Sequence, residues 1–378
     1  MSGPLADLRV LDLSAFLPGP FCAEVLADLG ADVIKVEPPG GEPARSVTDG
    51  LHAVANRNKR GTVADLKDPV DRARVLDLAG GADVLIEGFR PGVVARLGVA
   101  YSDVCAVNPG IVYCSVTGYG QDGPKRDRPA HDLTLLAAAG ALSFSPHWHG
   151  APRRSGVPVA DLAGATYAVI AILAALRDRD RTGRGCYLDV ALADATLSFI
   201  APRGGPMLDR TDADRLGVYP TNDIYPTADG RQIAISAVEQ KFWLRLRDAL
   251  APDAPAVADP CFDTPGQRHR THGNALAALL TDVFATRRAD EWIARLEAVD
   301  VCVELVRTVR EAAESPQVQG RGIVQTLAGE HHVVFPVVRD GAVMGRLDRR
   351  APNLVEDRVG VRWAEPGSTT ALRGPGVD

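Results

Sequence analysis

Two residues thirty positions apart are the candidates for acid–base chemistry in this chain. They are His131, in Arg128-Pro129-Ala130-His131-Asp132-Leu133, and Asp161, in Gly156-Val157-Pro158-Val159-Ala160-Asp161. Each stands where an apolar, helix-like run begins, and turn residues frame each one. A His and a carboxylate facing one carbon from opposite sides can take a proton from one face and return it on the other. An Asp working alone as a nucleophile does acyl transfer instead. Taken singly, each has a plainer reading: a structural His, and an Asp capping the helix that follows it.

Two loops add cations. Asn56-Arg57-Asn58-Lys59-Arg60-Gly61 is compact, basic and polar, and by itself reads more readily as a solvated turn than as a site. Glu87-Gly88-Phe89-Arg90-Pro91-Gly92 follows a β-prone run. Loops after strand carboxyl ends line the ligand crevice of an open parallel sheet, and an Arg placed there can hold a phosphate bidentately. Lys125 and Arg126 are further phosphate candidates. Other signals are weak. Pro38-Pro39-Gly40-Gly41 does not fit G-x-G-x-x-G, and the chain has neither a P-loop nor a G-x-S-x-G elbow. His147-Trp148-His149, His269/His272 and His331-His332 lack the nearby Cys or carboxylate cluster of a zinc site.

The elements that must position these residues alternate. Leu8–Leu13, Asp32–Glu37, Ala82–Glu87, Gly110–Val116 and Cys186–Leu192 read as strands. Phe21–Leu29, Val70–Ala79, Leu133–Leu142 and Asp161–Leu176 read as helices. Strand–helix alternation predicts βαβ units and a parallel sheet covered on both faces. The composition changes near Pro202–Pro206. Beyond it, Gln232–Ser236 reads as a strand, and residues 242–250, 275–284 and 289–298 as helices, making a smaller α+β unit. The expected division is a large Rossmann-like domain over 1–200, completed by 325–378, with linker and small domain over 201–324.

Size and composition fit this picture. The 378 residues are 46% hydrophobic and 24% charged, with a net charge of −6 and a pI near 5.8. That balance argues against a nucleic-acid binder, which would be basic. No apolar run reaches the ~18 residues of a membrane span, and the start has no signal-peptide pattern. Six scattered cysteines without a CxxC point to reduced thiols and a cytoplasmic enzyme.

The chain resembles the class III CoA-transferase (CaiB/BaiF) family, which includes formyl-CoA and carnitine-CoA transferases and the α-methylacyl-CoA racemases. The stretches that carry the likeness are Pro18-Gly19-Pro20-Phe21-Cys22, residues 26–37, Asn56–Arg60, Glu87–Gly92, residues 118–124 and residues 180–185. The resemblance implies an interlocked homodimer of Rossmann-like chains and an acyl-CoA substrate, with no metal or redox cofactor. It implies CoA binding through Arg90 and the loop Asn56, Arg57, Asn58, Lys59, with Lys125.

Within the family, the position matching Asp161 is the transferase nucleophile, and the position matching His131 is usually aromatic in transferases. His131-Asp132, Val238-Glu239-Gln240-Lys241-Phe242-Trp243 and Arg203-Gly204-Gly205-Pro206-Met207-Leu208-Asp209 are similar to the racemase branch. Lys35-Val36-Glu37-Pro38-Pro39-Gly40 has the form common in transferases. The expectation is therefore a 2-methylacyl-CoA racemase. His131 and Asp161 would move the α-proton, Glu239 would orient His131, and backbone N–H groups at Asp132 would stabilise the enolate. The alternative is a CoA transferase working through an aspartyl-CoA thioester on Asp161.

Overall fold

The computed structural model describes residues 3–47, 50–144, 154–204, 219–354 and 361–364. The chain divides into a larger unit, Met1–Ser143 with Arg154–Gly205 and Pro316–Asp378, and a smaller one, Phe144–Arg153 with Pro206–Ser315.

The larger unit is built on six parallel strands: β1 (Arg9–Asp12), β2 (Asp32–Glu37), β3 (Arg60–Val63), β4 (Val84–Glu87), β5 (Val112–Thr117) and β6 (Cys186–Ala191). Their order is β3-β2-β1-β4-β5-β6, so the progression of strands reverses between β1 and β4 while all remain parallel. A parallel sheet binds its ligand at the carboxyl ends of the strands flanking such a switch point. Its helices include α1 (Pro18–Asp28), α2 (Pro69–Gly80), α3 (Asp132–Ala138), α4 (Val159–Thr182) and α5 (Leu192–Gly204).

Local chemistry sets the boundaries. Asp68 caps α2 by accepting the Val70 N–H, and Pro69 begins the helix without an N–H to lose. Gly183, at φ 72°, ends α4 in the left-handed conformation glycine tolerates. Gly164 lets α4 lie against α5, because a Cβ there would run into the Leu192 side chain.

Val10, Val33, Val84, Ile86, Val112 and Cys114 are fully or almost fully buried under α1 and α4, and Leu11, Ile34, Leu85 and Tyr113 form the core on the opposite face. Burial on both faces is the expected state of parallel strands. Helix α4 is long and apolar enough to cross a membrane, but it packs on α1, α3, α5, β5 and β6 and serves as a core helix of this unit.

Strand β3 had no counterpart in the sequence reading. Its four residues, Arg-Gly-Thr-Val, lack an apolar run. Pairing with β2 makes it a strand (Ile34 opposite Arg60), with Arg60 clamped on Asp32.

The smaller unit has an antiparallel sheet of β7 (Asn222–Pro226), β8 (Gln232–Ser236) and β9 (Val303–Leu305) with α6 (Gln240–Leu250), α7 (Gly273–Phe284) and α8 (Ala289–Glu297). Its core is centred on Trp243, Phe284 and Trp292. A hairpin, β10 (Val324–Leu327) and β11 (Glu330–Val333), leads the chain back into the larger unit. The fold is thus mixed α/β, with a parallel central sheet and separate antiparallel ones.

Candidate active site

The carboxyl ends of all six parallel strands open into one cavity of about 710 Å³. Leu13–Phe16 enter its wall after β1, Pro38 after β2, Ala64–Lys67 after β3, Gly88–Arg90 after β4, Gly118 after β5 and Leu192 after β6. His131 and Asp161 line the same cavity. The sequence places each at a helix start, and the structure puts both in the wall of this cavity.

Asp161 lies in the first turn of α4. Among the described residues its carboxyl oxygens have no hydrogen-bond partner. Burial first, and then the charge of Asp132, push its carboxyl up to about 6. Asp132, the first residue of α3, accepts the Ala160 N–H at 2.7 Å and, more weakly, the Asp161 N–H at 3.4 Å. It thereby satisfies the amino end of a helix whose own N-cap, Pro158, offers no side-chain acceptor.

His131 is the N-cap residue of α3, and its backbone is held by Thr134, whose hydroxyl accepts the His131 N–H and donates to the His131 carbonyl. Its ring stands edge-on to Phe16, with centroids 5.9 Å apart. Within the larger unit no described residue hydrogen-bonds its ring nitrogens. The approach of the His131 loop to β5 depends on Gly118, where a Cβ would come within 2.6 Å of the Ala130 Cβ. Glu239 stands in the smaller unit, exposed, at the N-cap of α6.

Arg90 lines the cavity, and its guanidinium has no partner among the described residues. The loop Asn56–Lys59 does something different from what its composition suggests. The Lys59 ammonium is fully buried and spends its three donors on Asp12, the Pro20 carbonyl and Asn56. Arg57 is clamped on Glu24 and Asp28. Asn56 donates to Glu42, and Asn58 to Asp28 and the Arg346 carbonyl. None of the four side chains lines the cavity, and their donors are spent on buried carboxylates and on backbone carbonyls. The loop is basic because it neutralises buried carboxylates and fastens the returning C-terminal segment. Burial opposes ionisation of Asp12, yet the Lys35 and Lys59 ammoniums beside it hold its carboxyl at about 2. The same cluster supports the cavity wall, since Glu42 also accepts the N–H of Phe16, a non-glycine residue at φ 66°.

Lys125 lies over the Tyr119 ring, 5.5 Å from its centroid, outside the cavity wall. The cavity cations that sequence reasoning passed over are Lys67 and Arg128. Lys67 was hidden because β3, which it follows, was not recognised as a strand. Arg128 was legible as the residue three before His131. His147-Trp148-His149 and residues 205–209 of the linker motif lie outside the described residues. His269 is buried in the smaller unit, its ring tilted against Tyr219 and bonded to Thr221.

The profile of CoA-transferase family III matches residues 5–358. A succinyl-CoA–D-citramalate CoA-transferase of Chloroflexus aurantiacus is 32% identical over 96% of this chain and 90% of its own. The human α-methylacyl-CoA racemase is 33% identical over 84% of this chain and 81% of its own. Among solved structures, a CAIB/BAIF family protein from Brucella suis superposes with a TM-score of 0.85 at 30% identity, covering 94% of this chain and 97% of that one. Matched by the family profile, by this relative and by this solved structure over nearly its whole length, the chain is a member of CoA-transferase family III.

Proposed function

We propose that the protein is a CoA transferase that moves CoA from an acyl-CoA to a free carboxylate, with Asp161 as nucleophile. The observation that carries the reading is the Asp161 carboxyl in the cavity wall, unpartnered among the described residues, desolvated enough to be reactive and still ionised at neutral pH. The carboxylate attacks the thioester carbonyl, giving a mixed anhydride and releasing CoA thiolate. The thiolate attacks the Asp161 acyl carbon, freeing the donor acid and leaving an aspartyl-CoA thioester. The acceptor carboxylate then attacks that thioester, and the released thiolate takes the acceptor's acyl group, regenerating Asp161. Arg90 and Lys67 hold phosphates of CoA, with Lys125 as an outlying cation.

The named transferase relative supports this over the racemase expected from His131-Asp132 and Glu239. Its citramalate acceptor, together with Arg128 beside His131 in the wall, favours a dicarboxylate acceptor here. The test is to supply succinyl-CoA and a panel of carboxylates and to follow the CoA esters formed. Hydrolysis alone, with no acceptor-dependent ester, would contradict the proposal.

Racemisation is the second reading, favoured by His131 sharing the cavity with Asp161 and by the racemase relative. In it the two residues act on opposite faces of a 2-methylacyl-CoA. Deuterium entering Cα from solvent, with loss of stereochemical purity, would select it.

We further propose a homodimer, interlocked as in the family. Ile170 and Leu173 on α4 and Leu197 and Phe199 on α5 are exposed, with Tyr167 edge-on to Phe199, an apolar face suited to a second copy. A monomer in light scattering would refute it. The cytoplasm is the proposed compartment, in keeping with six unpaired cysteines.

A further inference from the structure

Glu87 is the last residue of β4, 1% exposed, and has no part in the chemistry above. One carboxylate oxygen accepts the Ser115 hydroxyl. The other accepts the backbone N–H of Phe89 at 2.8 Å, across the turn that delivers Arg90 to the cavity. Ser115 in turn accepts the Tyr187 hydroxyl at 3.0 Å. Tyr187 is packed among Tyr101 and Tyr113, ring centroids 5.6 and 5.8 Å away, on the edge of a separate hollow of about 250 Å³. The run Tyr187–Ser115–Glu87–Phe89 thus crosses the sheet from β6 through β5 to the end of β4.

We propose that Glu87 is a positioning residue for CoA, fixing the Gly88-Phe89-Arg90 turn so that the Arg90 guanidinium meets the phosphates, with Ser115 and Tyr187 holding Glu87 in turn. This rests on the reading of the cavity as a CoA site. The polarity of the chain is consistent with it. As arranged, the Ser115 hydroxyl and the Phe89 N–H both donate to Glu87, one to each oxygen, an arrangement that an ionised carboxylate satisfies in full. Burial pushes the carboxyl up to about 7, while the Ser115 and Phe89 hydrogen bonds favour its ionised form.

The test is a double-mutant cycle on the Kd for free CoA, by calorimetry on the full chain, using Glu87→Gln and Arg90→Ala. Glu87→Gln is expected to weaken CoA binding about tenfold, as the loss of a charged hydrogen bond does. In an Arg90→Ala background it is expected to add less than about twofold. A merely structural role would weaken binding equally in both backgrounds, and that result overturns the proposal. Wild-type affinity in a folded Glu87→Gln protein overturns it too. Should that variant not fold, Ser115→Ala reads the same link, with weaker CoA binding expected and unchanged binding contradictory. Failure of the wild-type protein to bind CoA would sink the functional reading and this inference with it.

Discussion

Asp132 and Asp161 are joined side chain to backbone: the Asp132 carboxylate accepts the Asp161 N–H and the neighbouring Ala160 N–H. One acidic residue therefore does two things. It ties the helix start that carries His131 to the helix start that carries Asp161, and it sets a negative charge beside the Asp161 carboxyl. Asp132 is thus a positioning residue, and its side chain acts at α4.

Asp132→Asn retains an oxygen acceptor and removes the charge. Asp161 stands near 6 because of burial and then Asp132, so its active, ionised form is lost as pH falls through about 6. With the charge gone, the acid limb of kcat/KM is expected to move to lower pH, only in part because burial remains. Asp132→Ala, which also removes the cap, is expected to cost about 1 kcal/mol in urea unfolding. An unmoved acid limb in Asp132→Asn would refute the electrostatic role.

Lys59→Met is expected to destabilise the fold by about 3–5 kcal/mol, because Asp12 would be left charged and buried without its nearest partner. The Asp12 carboxyl is lowered from 3.8 to about 2 in the folded chain. Its contribution is therefore complete above pH 4 and lost as pH falls through about 2. Unfolding midpoints of wild type and variant across that range check the assignment. Unchanged stability with weakened CoA binding would restore the phosphate-binding role.

Arg90→Ala is expected to raise KM for the CoA ester about tenfold or more, from the loss of a charge-assisted contact to phosphate. Steady-state kinetics at two salt concentrations test it, since the wild-type advantage should shrink as salt rises.

His131→Ala separates the two chemistries. Under the transfer mechanism the rate is expected to stay within about tenfold of wild type, because no step needs a second base. Abolished transfer in the folded variant would make His131 part of the reaction.

Much of the fold was legible because its signals are local. Asp32–Glu37 is a strand in both readings, and α4 begins within two residues of Asp161, where the pattern placed it. His131 and Asp161 were legible as residues, each at the start of a helical run. What the sequence could not convey was nonlocal. β3 is a strand only because β2 pairs with it. Lys59 looks like a surface cation until Asp12, 47 residues earlier, is seen to meet it in the interior. Asn58 looks like a loop residue until the chain returns from Arg346. The balance between racemase and transferase was also not local. It turned on short motifs around His131 and Glu239, whereas likeness along nearly the whole chain leans toward transferases.

The most direct measurement is to trap the intermediate. Wild-type protein is incubated with succinyl-CoA, treated with hydroxylamine, digested and analysed by mass spectrometry. A hydroxamate on Asp161, absent without the CoA ester and absent in Asp161→Asn, is the predicted result. An unmodified Asp161 in protein that is turning over acyl-CoA would contradict the nucleophilic mechanism.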